Sequence, residues 1–272
     1  MLFKKKKIVP EQSKIIVTEN SNRTGSDYNR LKDNILFMNA DGNTKVIQIE
    51  SSLAHEGKTT VACNLAVSLG FTEKKVIVVD LDFRRPRTHR VFGLTKDNGI
   101  AEYMFGTLSK EQVIKKTGFK NVDVLTRGGE IHNSALVLVS EKFKNLIEEL
   151  RTEYDYVILD CAPVLLVSDY IHISKVSDSV LFLVAYGQTT KTQVADAVKE
   201  LKKNGIKILG TVFSMYDRKK DKNYGLYYYK NRYYKYYDTY ANSYVDTSAD
   251  EAEDAALAAA AAERKAKADE EK

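Results

Sequence analysis

Short apolar, β-branched runs alternate along most of this chain with segments of helical periodicity. The runs are KVIQIES, KVIVVDLD, NVDVLTR, YDYVILD, SVLFLVAY and IKILGTVFS, and among them stand GKTTVACNLAVSLG, SEKFKNLIEELR and KTQVADAVKELKKNG. Strands that are apolar at consecutive positions need cover on both faces, and helical connections between such strands favour parallel pairing. The pattern predicts an α/β fold, a doubly wound and mostly parallel sheet in a three-layer α/β/α arrangement. Ahead of the first run, Tyr28, Leu31 and Ile35 recur at helical spacing and predict one further helix.

Composition divides the chain into four parts. Residues 1–25 are polar and charged without sustained periodicity and read as a flexible arm. Residues 26–215 carry the alternating pattern and its leading helix. Residues 216–247 hold 11 of the 17 tyrosines, many lysines and almost no aliphatic side chains, so this stretch cannot bury a core and reads as a disordered tail. Residues 248–272 are rich in Ala, Glu and Lys and read as a marginal helix or spacer.

The longest apolar runs, such as Ser179 to Ala185, fall far short of the roughly 18 to 20 residues that cross a bilayer, and MLFKKKKIVP has no apolar stretch after its lysines. The sequence therefore predicts neither export nor a membrane span. Cys63 and Cys161 lie in apolar runs without metal-ligand spacing, which suits a reducing cytoplasm. His89, His132 and His172 are scattered and read as structural. Nothing in the globular part resembles a nucleic-acid module, although the interleaved Tyr and Lys/Arg of the tail offer stacking and phosphate contacts as a rival reading.

The stretch IESSLAHEGKTTVACNLA places a strand, a loop and Gly57-Lys58-Thr59 at a helix start, the context in which a phosphate-binding loop is credible. Free amides at the helix N-terminus face phosphate oxygens, the Lys58 ammonium bridges the terminal phosphates, and the Thr59 hydroxyl can ligate Mg²⁺. Ser52 stands where a strict motif has glycine. Two further strands end in acids, KVIVVDLD in Asp80 and Asp82 and YDYVILD in Asp160. Parallel strands deliver their carboxyl ends to one edge, so three carboxylates are expected beside Lys58 and Thr59 as an oxygen-rich cation site.

These motifs resemble the bacterial tyrosine kinases (BY-kinases) of capsule and exopolysaccharide synthesis, relatives of the MinD/ParA ATPases with the P-loop NTPase fold. EGKTT matches Walker A, VIVVDLDFRRP the A′ motif, YDYVILDCAP Walker B, and YGLYYYKNRYYKYYDTY the tyrosine cluster; the likeness covers about residues 26–245. It implies ATP and Mg²⁺ as cofactors, with His55, Glu56, Gly57, Lys58, Thr59 and Thr60 around the phosphates. Thr59, Asp80 and Asp160 would organise the metal, and Asp82 would position or deprotonate the attacking tyrosine hydroxyl; Asp80 and Asp82 both remain open as base. The resemblance further implies autophosphorylation between subunits at Tyr224, Tyr227, Tyr228, Tyr229, Tyr233, Tyr234, Tyr236, Tyr237, Tyr240 and Tyr244. It implies self-association, a membrane-embedded adaptor that regulates polysaccharide chain length, a cognate tyrosine phosphatase, and a cytoplasmic protein recruited to the inner face of the membrane.

The chain departs from the family in places. His55 stands where the loop usually has glycine. Ser26, Asn29 and Lys32 replace the glutamate and two arginines of the oligomerisation helix, so the ring implied by the resemblance is expected either to be weaker or to rest on other residues, Asp27, Arg30 and Asp33. Two rival readings are a MinD/ParA-like ATPase switch, against which Leu53 stands where those ATPases carry a signature lysine, and a pseudokinase scaffold.

Overall fold

The computed structural model describes residues 15–17 and 23–216; the tail tyrosines expected as phosphoacceptors, Tyr224 to Tyr244, and the segment 248–272 lie outside the described residues. The chain divides into two units, 1–216 and 217–272, and only the first is described here. In chain order its elements are α1 (Arg23–Met38), β1 (Val46–Ser51), α2 (Lys58–Gly70), β2 (Val76–Asp80), α3 (Thr88–Val91), α4 (Ile100–Met104) and α5 (Lys110–Val113). There follow β3 (Ile114–Lys116), β4 (Val122–Leu125), α6 (Ser134–Leu138), α7 (Glu141–Glu153), β5 (Tyr156–Asp160), α8 (Asp169–Ile173), β6 (Ser179–Ala185), α9 (Lys191–Lys203) and β7 (Ile208–Ser214).

The strands form one sheet in the order β3-β4-β2-β5-β1-β6-β7. All neighbours are parallel except β3, which runs antiparallel to β4. Consecutive apolar residues in the central strands serve two cores, because side chains alternate across a strand. Ile47, Ile49, Val76, Val78 and Ile158 face one side with Val61, Leu65 and Leu69 of α2 and Ile35 of α1. Val46, Ile77, Val79, Val157 and Leu159 face the other with Phe143, Leu146, Ile147 and Leu150 of α7. Those four residues of α7 recur at the spacing of one helical stripe. Its first turn is closed by Ser140, whose hydroxyl accepts from the amide of Phe143 at 3.2 Å.

α2 differs from α7 in being enclosed nearly all round, buried from Val61 to Gly70. This accounts for its run of small and apolar residues. A Cβ on Gly70 would meet the carbonyl oxygen of Lys120 at 2.6 Å, so this end of α2 fits only without a side chain.

Part of the stretch read as a free arm is packed. Val17 is buried in the α2 side of the core, and the amide of Ile16 donates to Asn64 Oδ1 at 2.8 Å. Three apolar residues in a polar stretch are too few to show a period, which is why the sequence left them out of the domain.

Candidate active site

β1 ends at Ser51 and α2 opens at Lys58, leaving residues 52–57 as a loop at the carboxyl edge of the sheet. Gly57 closes the loop in the left-handed region (φ 89), and no side chain caps the helix that follows. The first amides of α2 thus keep donors with no helical acceptor, at the positive end of the helix dipole. His55 is also left-handed (φ 65), a conformation glycine adopts freely and histidine at a cost. Its Nε2 lies 3.2 Å from the Arg85 guanidinium, which can only donate, so this ring nitrogen accepts.

Lys58 folds back over the loop. Its ammonium donates to Ser51 Oγ at 2.9 Å and to the Leu53 carbonyl at 3.4 Å, and the Ser51 hydroxyl donates to that same carbonyl at 2.8 Å. The Glu56 carboxylate is buried and engaged by backbone, accepting from the amides of Leu53 at 2.6 Å and Ala185 at 3.3 Å. Thr60, in the first turn of the helix, has its carbonyl taken by the Asn64 side-chain Nδ2 at 2.8 Å.

Asp80 and Asp160 are register partners on β2 and β5. Period-two alternation points both toward the α2 face, with Val78 and Ile158. Asp80 Oδ2 accepts from the amides of Arg87 (3.0 Å) and Thr88 (3.1 Å) and from the Thr88 hydroxyl (2.6 Å). Asp80 Oδ1 and both oxygens of Asp160 are buried without a hydrogen-bond partner. Burial raises the pKa of both carboxyls, and in Asp160 the neighbouring Asp80 raises it further. The Thr59 hydroxyl stands near enough to Asp160 to pull the other way, outside hydrogen-bond geometry.

The third expected carboxylate, Asp82, lies close enough for its charge to raise the pKa of both Asp80 and Asp160. Among the described residues no three His, Cys, Asp or Glu side chains are placed to hold a metal ion together. β2 ends at Asp80, and Asp82 lies beyond it in a turn where its Oδ1 accepts from the amide of Arg85 at 2.9 Å. A hard cation here would rest on Asp80, Asp160 and Thr59, and the unpartnered carboxylate oxygens suit one.

Further residues surround the site. Arg84 donates to Asp169 Oδ2 at 2.6 Å and to Ser134 Oγ at 3.4 Å, and Ser134 donates to Asp169 Oδ1 at 3.1 Å. This ties the loop after β2 to α6 and α8. Glu50 lies on the sheet face opposite Ser51, with Oε1 accepting from Gln48 at 2.6 Å, Oε2 buried without a partner, and a pKa raised by burial to about 8. Arg84 is legible in the sequence as one of the arginines after the A′ strand that could meet nucleotide or an acidic partner, and the partner it meets is Asp169; nothing in the sequence marks Glu50 as a neighbour of the loop.

A parallel sheet whose first loop presents an uncapped helix N-terminus to two buried carboxylates is the architecture of the P-loop nucleoside triphosphatases. Residues 44–209 match a family model described as an AAA domain. The tyrosine-protein kinase YwqD of Bacillus subtilis (strain 168) is 33% identical over 82% of this chain and 94% of its own length. Among solved structures, the chimerical protein CapA2B2 has a TM-score of 0.71 at 30% identity over 74% of this chain and 89% of that one. The septum site-determining protein MinD from Pyrococcus horikoshii OT3, solved with Mg-ADP, has a TM-score of 0.55 at 28% identity over 64% of this chain and 72% of that one. The chain belongs to the bacterial tyrosine-protein kinases and is a P-loop enzyme of that class. Among the described residues no helix is long and apolar enough to cross a membrane.

Proposed function

We propose that the loop and the two strand-end acids carry phosphoryl transfer from ATP to tyrosine hydroxyls in the chain's own residues 216–247, presented by a neighbouring subunit. The observation that carries this reading is the pair Asp80 and Asp160, buried side by side with unpartnered oxygens at the edge that also holds Lys58 and Thr59. Two carboxylates buried side by side with three of their four oxygens unpartnered are costly to ionise unless a cation joins them, and MinD from Pyrococcus horikoshii OT3 was solved with Mg-ADP. Magnesium would supply charge neutralisation across the phosphates when bound.

The protein's own groups do the rest. The α2 amides hold the phosphates, and Lys58 exchanges its internal acceptors, Ser51 and Leu53, for phosphate oxygens. Asp82, outside the buried pair, orients the tyrosine hydroxyl. A phenol titrates near pH 10, so its proton leaves late, and positioning with charge neutralisation dominates.

The tail carries seven Lys/Arg and three Asp between Tyr216 and Tyr244. Each phosphate adds about −1.5 to −2, so a few phosphorylations invert its sign and change which partner it holds. The likeness to a chimerical CapA2B2 protein supports a second, membrane-embedded polypeptide as activator, and relatives named CapB and CpsD support a role in capsular or exopolysaccharide synthesis. A cognate phosphatase would reset the tail, and the kinase would work at the inner face of the membrane.

The test is incubation with Mg-ATP followed by detection of phosphotyrosine in wild type, Lys58→Met and a chain ending at Tyr216. Phosphotyrosine confined to wild type is expected. Undiminished signal in the shortened chain places the acceptors elsewhere, and none in wild type with intact ATP hydrolysis favours an ATPase switch.

A further inference from the structure

The phosphate loop and the last strand meet through one buried hydrogen bond. Ser214, the final residue of β7, donates from Oγ to the carbonyl of Glu56 at 2.6 Å across a sequence separation of 158 residues. The loop and the strand end lie side by side, with room between them for no more than a methyl group in ordinary van der Waals contact. A Cβ on Gly57 would stand 3.6 Å from Ser214 Cβ and 3.7 Å from Met215 Cε.

The residues that follow are also held. The Ser214 carbonyl accepts from the amide of Tyr186 at 2.9 Å, Gln188 Nε2 lies 3.3 Å from Met215 Sδ, and the Tyr216 ring meets Tyr186 edge-on at 4.8 Å. Met215 turns through the left-handed region (φ 57), so residues 214–216 make a defined bend at the foot of the tyrosine-rich segment.

The Glu56–Gly57 peptide unit is engaged at one end and open at the other. Its oxygen takes the Ser214 hydroxyl, while its nitrogen, at the N-cap of α2, is among the donors the helix leaves without an acceptor. A phosphate oxygen that accepts from this amide polarises the unit and strengthens the bond at its carbonyl, since linked hydrogen bonds reinforce one another. The coupling runs both ways: what steadies the carbonyl improves the amide as a donor.

We infer that Ser214 is a positioning residue of the nucleotide site, through which a filled phosphate loop fixes the bend at residues 214–216. The inference rests on the reading that this loop binds a nucleotide. By it, ATP in the loop also steadies the root from which the acceptor segment departs.

The experiment compares wild type, Ser214→Ala and Ser214→Thr by calorimetric titration with Mg-ADP and by amide hydrogen exchange of residues 213–216 with and without it. Wild type should bind and show slowed exchange at these residues. Ser214→Ala should bind up to about twofold more weakly, because the bond already exists in the nucleotide-free protein and only its strengthening, about 10–30% of one neutral hydrogen bond, is lost, and it should lose the slowing. Ser214→Thr, which keeps the hydroxyl, should restore both.

Ser214→Ala matching wild type in either measurement overturns the inference, as does Ser214→Thr behaving like Ser214→Ala, which assigns the effect to packing. A wild type that binds no Mg-ADP overturns the nucleotide reading and this inference with it.

Discussion

Asp80 and Asp160 face each other in register at the ends of neighbouring strands, and between them three of four carboxylate oxygens are buried without a hydrogen-bond partner. Groups so placed are costly to ionise. Their burial makes the site a source of instability that a bound cation would relieve.

Asp160→Asn should therefore separate stability from activity. At pH 8 the unliganded protein should gain about 1 to 2 kcal/mol in urea denaturation, because a carboxyl that burial makes costly to ionise is replaced by a neutral amide. Phosphotyrosine formation should fall by at least about 100-fold, the scale of losing a preorganised electrostatic group. A variant less stable than wild type would show that the pair is better satisfied than its geometry indicates.

Glu50 gives stability a pH dependence of defined sign. Burial raises its folded-state pKa from 4.5 to about 8. Between these values the folded state binds more protons than the unfolded one, so stability falls as pH rises. The penalty is absent below the unfolded pKa and complete above about 8. Its limit is about 1.4 kcal/mol per pH unit of difference between the two states. Glu50→Gln should flatten the fall between pH 5 and 8, measured as denaturation midpoints; an unchanged slope assigns the dependence to other groups.

Arg84→Ala should destabilise the domain by about 1 to 3 kcal/mol, although the arginine side chain is half exposed. The cost arises at its partner, since Asp169 is buried and would keep only Ser134 as a donor among these contacts. Asp169→Asn in the same background should recover part of the loss. No recovery would mean that Arg84 acts through packing.

Gly99→Ala should be among the most damaging small substitutions. A Cβ there would lie 2.1 Å from the Thr126 carbonyl oxygen and 2.4 Å from the Gly128 amide, both backbone atoms. A loss of more than about 3 kcal/mol is expected, and a melting temperature within a degree or two of wild type would show that the loop gives way.

How far the sequence reached follows from which residues carry a repeating signal. KVIVVDLD and YDYVILD announce buried strands by composition alone, and EKFKNLIEEL announces a one-sided helix, since each repeats its cue over a full element. β3 did not show itself: Ile114–Lys116 is three residues long, two of them lysines, and is a strand only because β4 lies beside it. The site was legible to the same degree. Lys58, Thr59, Asp80 and Asp160 follow from motif spacing, because strand ends and loop lengths fix where they arrive. The turn that takes Asp82 to the Arg85 amide depends on the backbone beyond β2. The bond from Ser214 to Glu56 joins distant residues that no local pattern connects.

The buried acids at the mouth of α2 have a consequence for the protein's life in the cell. A ligand that binds only the folded chain adds to its stability in proportion to the logarithm of its concentration, and protein lost to proteolysis tracks the unfolded fraction. A chain that nucleotide stabilises in this way would have a half-life set partly by supply: starvation for nucleotide would thin the enzyme's numbers as well as idle it.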